Sequence, residues 1–226
     1  MDPDLPGPLL RRRGRDHLRR GVAIVRPQIQ ATLLTIIAGI ADAVGYVTMG
    51  GVFAANMTGN TVLAGIAGAE GRYPDAGRHL VPLVAFFIGA MLARLLLRLW
   101  SRPMIPILLE AAIIGAMGFL PIAMEETAVL VLAFAMGLQA SAITQFGGVS
   151  VSTVVVTSTL ARTADAALDH LWPAEAEKLP VVATPRLLLL TWLGYLVGAV
   201  AGGLLLHVVA WPLLVPAVLL VIVVLL

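Results

Sequence analysis

The chain has 226 residues, of which 59% are hydrophobic and only 12% charged. A water-soluble globule carries about a quarter of its residues as charges, so that class is excluded. The net charge of +2 hides an uneven distribution, and the absence of cysteine excludes disulfides, thiolate metal sites and cysteine nucleophiles.

The chain opens with an arginine-rich segment, residues 1–28, holding Arg11, Arg12, Arg13, Arg15, Arg19, Arg20 and Arg26. Arginine beside a membrane span marks the cytoplasmic side, and such a cluster also attracts anionic lipid. No folded module accompanies it, so nucleic acid is not an expected partner. The apolar run after Arg26 is too long for a signal-peptide core and carries Asp42, so a cleaved signal is not expected either.

Six apolar runs long enough to cross a bilayer core of roughly 30 Å follow. They are Ile29–Met49, His79–Leu99, Pro103–Met124, Thr127–Phe146, Arg186–His207 and Trp211–Leu226. Two shorter segments, Gly51–Gly68 and Gly147–Ala164, break the pattern, and each starts at a glycine pair. In the first, Val52 to Met57 precedes Thr58-Gly59-Asn60 and an apolar run from Thr61. In the second, small polar and β-branched residues from Val149 to Val156 favour an extended chain. Thr157 and Ser158 then suit the start of a short helix. Non-helical backbone at membrane depth needs protein or a water-filled cavity around it, so both segments should face inward. The expected fold is an all-α integral membrane protein with about six transmembrane helices and two broken, extended-then-helical segments.

The order of elements repeats. Gly39-Ile40-Ala41-Asp42 resembles Gly137-Leu138-Gln139-Ala140, the Gly89 region resembles the Gly198 region, and Pro103 and Pro106 are echoed by Pro212 and Pro216. Gly- and Ala-rich membrane helices also match by chance, but these matches keep their order. Residues 29–124 and 125–226 are therefore expected to be two membrane repeats. If both broken segments cross, the repeats are parallel and there are eight crossings. If both enter and return, the repeats are inverted. The arginine tail, the Arg98–Arg102 turn and the Arg162–Arg186 loop then share the cytoplasmic side of the cell's inner membrane. Arginine counting favours inversion.

Asp42-Ala43-Val44-Gly45-Tyr46 and Val52-Phe53-Ala54-Ala55-Asn56-Met57-Thr58-Gly59-Asn60 resemble the signature of the YoaK-like family of bacterial membrane proteins. Gly137-Leu138-Gln139-Ala140 and Val155-Val156-Thr157-Ser158-Thr159-Leu160 fit that family's second half. Ser158 departs from the glycine often found there, which puts any glycine-dependent contact at that site in doubt. The resemblance implies a multi-span membrane topology and no particular activity. Paired broken segments in inverted halves also look like the core of the uracil-permease and sulfate-transporter fold, where substrate sits between two such segments.

Asp42 is the sharpest single residue, because an intramembrane carboxyl is costly and is a functional candidate by default. Thr35, Ala38, Gly39, Gly45 and Tyr46 share its helical face, and Gln139 sits at a similar depth in the second repeat. Asp42 either couples solute binding to an ion or holds the broken segment's backbone. Thr58, Gly59, Asn60, Thr157, Ser158 and Thr159 fall at two expected helix N-termini, whose N–H groups favour anions or electron-rich oxygens. Asn56, Ser150 and Ser152 can add side-chain contacts, unless these groups merely satisfy the broken backbone. A pair between Glu110 and Arg94 is expected from their similar depth. Gly194, Gly198 and Gly202 mark close helix contact, within the chain or between subunits of a homo-oligomer.

The four histidines lack ligand spacing, so no metal or other cofactor is expected. Only Asp42 is deep, so no paired acid and base for an enzyme is in view. The expectation is a small secondary transporter or facilitator for a small solute or ion. A passive channel, or a non-transporting assembly partner or sensor, is the alternative. A transporter requires a water-accessible cavity reaching Asp42 and Thr58.

Overall fold

A computed structural model describes residues 8–119, 125–143, 145–146, 149–150, 160–161, 164 and 185–226. Helix α1 runs Pro8–Thr48, α2 Met57–Ala69, α3 Tyr73–Trp100, α4 Met104–Phe119 and α5 Glu125–Ala142. Helix α6 runs Pro185–Val208 and α7 Leu214–Leu225. Between α5 and α6, a two-residue strand β1, Gln145–Phe146, pairs antiparallel with β2, Val149–Ser150. Residues 151–159, which hold Ser152, Thr157, Ser158 and Thr159, lie outside the described residues.

The 41 residues of α1 make a helix about 62 Å long, so the arginine-rich segment continues the first span through Pro27. Among the described residues, three stretches are long and apolar enough to cross a membrane: Pro27–Thr48, Tyr73–Trp100 and Arg186–Val208. Met104–Phe119, Thr127–Ala142 and Leu214–Leu225 are apolar but shorter. The chain is a helical membrane protein, with α1 at its centre and the outer faces of α3 and α6 lined by exposed Val, Leu, Ile and Phe.

Glycines set the two closest helix contacts. A Cβ built on Gly39 would lie 2.2 Å from Tyr195 O and 2.8 Å from Ala199 N, and one on Gly198 would lie 2.1 Å from Ile36 O. No side chain fits there, so α1 and α6 touch backbone to backbone, where dispersion and carbonyl contacts act at short range. The contact between α3 and α5 has the same pattern. A Cβ built on Gly137 would collide with Phe86 O and lie 2.9 Å from Ala90 N, and one on Gly89 would collide with Phe134 O. One constant shift of numbering carries Ile36 and Gly39 onto Phe134 and Gly137. A second carries Tyr195, Gly198 and Ala199 onto Phe86, Gly89 and Ala90.

Helix directions follow from the same contacts. Gly194 faces Thr32 and Thr35, Gly198 faces Ile36, and Gly202 faces Ile40 and Ala43, so α1 and α6 run parallel. The glycine stripe is thus filled within the chain. A homo-oligomer built through Gly194, Gly198 and Gly202 would require α1 to leave it. Gly118 faces Leu214 and Gly115 faces Ala217, so α4 and α7 run antiparallel. Met49 and Gly50 at the end of α1 share a cavity with Pro74 to Val81 at the start of α3 and with Val129 and Leu130 early in α5. Helix α5 therefore runs opposite to α1.

The expected Glu110–Arg94 pair does not form. Glu110 is fully buried on the face of α4 that meets the bundle, whereas Arg94 is exposed on α3 and no ion pair joins them. Equal depth says nothing about rotation, and these two helices turn those positions in different directions.

A candidate site where the first broken segment meets two helices

The first broken segment starts at Gly50 and Gly51, whose φ values of +73° and +76° lie in the left-handed region that glycine enters without strain. The chain then doubles back beside α1. Asn56 caps α2, its Oδ1 accepting the Gly59 N–H at 3.0 Å. Helix α2 climbs to the turn at Glu70–Gly71, next to the start of α3, so the segment leaves the bundle at the end where it entered. The expected break before a helix is found here, though residues 51–56 bend rather than run extended, and the helix starts at Met57.

Asp42 holds the bottom of this loop. Its Oδ1 accepts the N–H of Ala55 at 2.6 Å and of Asn56 at 3.2 Å. Its Oδ2 accepts the hydroxyl of Tyr195 at 2.5 Å. The carboxyl is 3% exposed, so these three donors stand in for the water it has lost. Backbone donors in a non-helical stretch have no helical acceptors, and a carboxyl supplies them from α1. Tyr195 brings α6 into the same cluster, joining residues 153 apart in the chain. In the similar α3–α5 contact, the same shifts of numbering put Ala140 where Asp42 stands and Phe86 where Tyr195 stands. The polar latch occurs in one of the two contacts and is apolar in the other.

Asn60 ties the segment to itself. Its Oδ1 accepts the Phe53 N–H at 2.9 Å and its Nδ2 donates to Phe53 O at 2.8 Å, with the side chain fully buried. Gly59 sits against the Phe53 ring, where a Cβ would come within 3.0 Å. Phe53 in turn stacks on Tyr46 with ring centroids 4.7 Å apart.

The sequence candidates do not all meet at one place. Asp42, Asn56, Gly59 and Asn60 are brought together around the loop. Tyr46 is 44% exposed rather than buried on the Asp42 face, and Thr58 is also exposed. Gln139 is buried, and its amide donates to Leu34 O at 3.0 Å, which joins α5 to α1. Ser150 lies in β2, and Ser152, Thr157, Ser158 and Thr159 fall outside the described residues. Tyr195 was missed, because a tyrosine in an apolar helix has no sequence signal until its partner is known.

A cavity of about 490 Å³ opens at the outer end of this loop, lined by Met49, Val52, Val81 and Leu130 with Asp75 and Arg78 at its edge. It reaches Val52 at the head of the broken segment, and its lining does not include Asp42 or Thr58.

The profile of the family described as protein of unknown function DUF1275 matches residues 30–226. The chain is also 33% identical over 143 residues to the UPF0700 transmembrane protein YoaK of Bacillus subtilis (strain 168). That alignment covers 58% of this chain and 62% of the relative. No solved structure matches.

Proposed function

The chain belongs to the DUF1275 family, and on that premise we propose that it is a small secondary transporter or facilitator of the cell membrane. In this reading it binds a small, electron-rich or anionic solute at mid-membrane, between its two broken segments. The observation that carries the reading is the start of α2 beside the buried Asp42. A helix N-terminus at membrane depth, next to unwound backbone, is the recurring solute and ion site of transporters built from inverted halves.

The helix directions support inverted halves. Helices α1, α3 and α4 run up, down and up, while α5, α6 and α7 run down, up and down. Residues 29–124 and 125–226 are then two copies with three crossings each, and the paired contacts at Gly39 and Gly137 are equivalent under the internal twofold. By the arginine rule the N-terminus and the Arg98–Arg102 turn lie in the cytoplasm. Asp42 anchors the first segment, and Tyr195 ties that segment to the other half. A coupling role for Asp42 requires this latch to open.

Two observations favour the other reading, a non-transporting assembly partner or sensor: the cavity at the end of the loop is not lined by Asp42 or Thr58, and the polar side chains of the loop are already engaged. Asn60 uses its polar atoms on the segment's own backbone, and Asp42 divides its two oxygens between that backbone and Tyr195. Cysteine accessibility separates the two readings. A cysteine at Thr58 should react with a small membrane-impermeant thiol reagent through a water-filled route, and bound solute should slow the reaction. A cysteine at Thr58 inert in intact membranes would sink the transport reading.

A further inference from the structure

Glu110 is enclosed completely, and neither of its carboxyl oxygens has a hydrogen-bond partner among the described residues. It is the seventh residue of α4, about 9 Å along a helix about 24 Å long, and so sits deep in the bundle. Ile107, Ala111 and Ile114 flank it on the buried face. The antiparallel register of α4 and α7 places it level with Leu220 and Val223, both buried. Among the described residues, no cation faces it from the helices packed on α4. Helix α7 has no ionisable residue, and α5 has none between Thr127 and Ala142. Arg94 and Arg98 of α3 are exposed. From α1, Asp42 is committed to Tyr195, and Gln30 donates to Val223 O at 3.3 Å.

A charged carboxylate in such an enclosure, with no donor to replace its water, would be strongly disfavoured. The fold itself does not ask for an acid here. The shift of numbering that carries Gly198 onto Gly89 and Pro212 onto Pro103 carries Leu219 onto Glu110. The equivalent position of α7 is thus filled by leucine. An unpartnered intramembrane acid where leucine serves the twin helix calls for an explanation beyond packing.

We propose that Glu110 is a proton-binding site at the α4–α7 contact, separate from the Asp42 latch. It enters the packed bundle as the neutral acid and releases its proton only when water reaches the contact. On release the carboxyl O–H bond breaks, the proton passes to a water molecule, and the hydrated carboxylate stays behind. Reclosing the contact takes a proton back. The site does not depend on where a solute binds.

Infrared spectroscopy of the purified protein in lipid bilayers reads this directly. At neutral pH the wild type should show the carbonyl band of a protonated carboxylic acid. Glu110→Gln should lack that band, and Asp42→Asn should keep it. Glu110→Leu, which copies Leu219, serves as the second variant should the glutamine protein misfold. Transferred to D2O, the band should shift as the acid exchanges, without unfolding of the protein. A neutral-pH spectrum unchanged by either Glu110 variant would overturn the proposal. A band that never shifts in D2O would overturn it too, because a sealed acid carries no proton.

Discussion

The Tyr195 hydroxyl donates to Asp42 Oδ2 where α6 crosses α1, while Phe86 and Ala140 take the matching places where α3 meets α5. The first broken segment is therefore pinned to α1 and α6 through one carboxyl. Removing that carboxyl leaves the buried Ala55 N–H and the half-buried Asn56 N–H and Tyr195 hydroxyl without acceptors. Each such group costs about 1–3 kcal/mol. Asp42→Ala should lower thermal stability more than Tyr195→Phe does. The double variant, which copies the apolar pair of the other contact, should lose less than the two singles added together, with a coupling of about 0.5–3 kcal/mol. Strict additivity in thermal unfolding would argue against a direct Asp42–Tyr195 bond.

The backbone contact at Gly39 predicts a sharp contrast among glycines. Gly39→Ala places a methyl group on the Tyr195 carbonyl, and Gly198→Ala places one on the Ile36 carbonyl. Each should cost about 1–3 kcal/mol through forced separation of the helices. Gly65→Ala and Gly203→Ala meet nothing within 4 Å and should be neutral or slightly stabilising. Thermal unfolding in detergent checks all four, and equal losses at all four would contradict the packing described.

Topology can be read with single cysteines, since the native chain has none. Tyr73 stands at the end of the bundle where α1 finishes, and Ser101 stands at the opposite end. Tyr73→Cys should label from outside intact cells with an impermeant reagent, and Ser101→Cys should label only after the cells are opened. Ready labelling at Ser101 from outside would refute a cytoplasmic N-terminus with inverted halves.

Much of this arrangement is legible in the sequence because membrane physics leaves strong marks. Gly50-Gly51 signals the break before the loop, whereas Asn56, read from sequence only as an added side-chain contact, is the cap of a helix that starts at Met57. Asp42 stands out as an acid in an apolar run, and the Gly194–Gly198–Gly202 spacing signals close contact. What each of these touches is not legible. Tyr195 meets Asp42 across more than half of the chain, and no local pattern encodes that meeting. Depth alone suggested Glu110 beside Arg94, yet the rotation of each helix about its axis turns Arg94 outward. Tyr46 and Thr58 share sequence motifs with buried partners but point away from them, because one helical turn carries both inward and outward positions.

Asn60 tests how the broken segment keeps its shape. Asn60→Leu loses both bonds to Phe53, and Asn60→Asp keeps the acceptor but loses the donor to Phe53 O. Both should lower the unfolding temperature, with leucine the worse, by about 1–3 kcal/mol per unsatisfied backbone group. Two variants as stable as the wild type would mean that Phe53 finds other partners.

The most direct test of the transport reading is ligand-induced thermal stabilisation of the purified protein across a panel of small anions, nucleobases and cations. A molecule that binds only the folded state raises the unfolding temperature in proportion to its concentration over its dissociation constant. The account predicts that one member of the panel stabilises the wild type. Thr58→Val and Thr157→Val, which remove a hydroxyl without much change of shape, should abolish that stabilisation while leaving the ligand-free unfolding temperature unchanged. A stabilising ligand whose effect survives intact in both variants would contradict a solute site between the two broken segments.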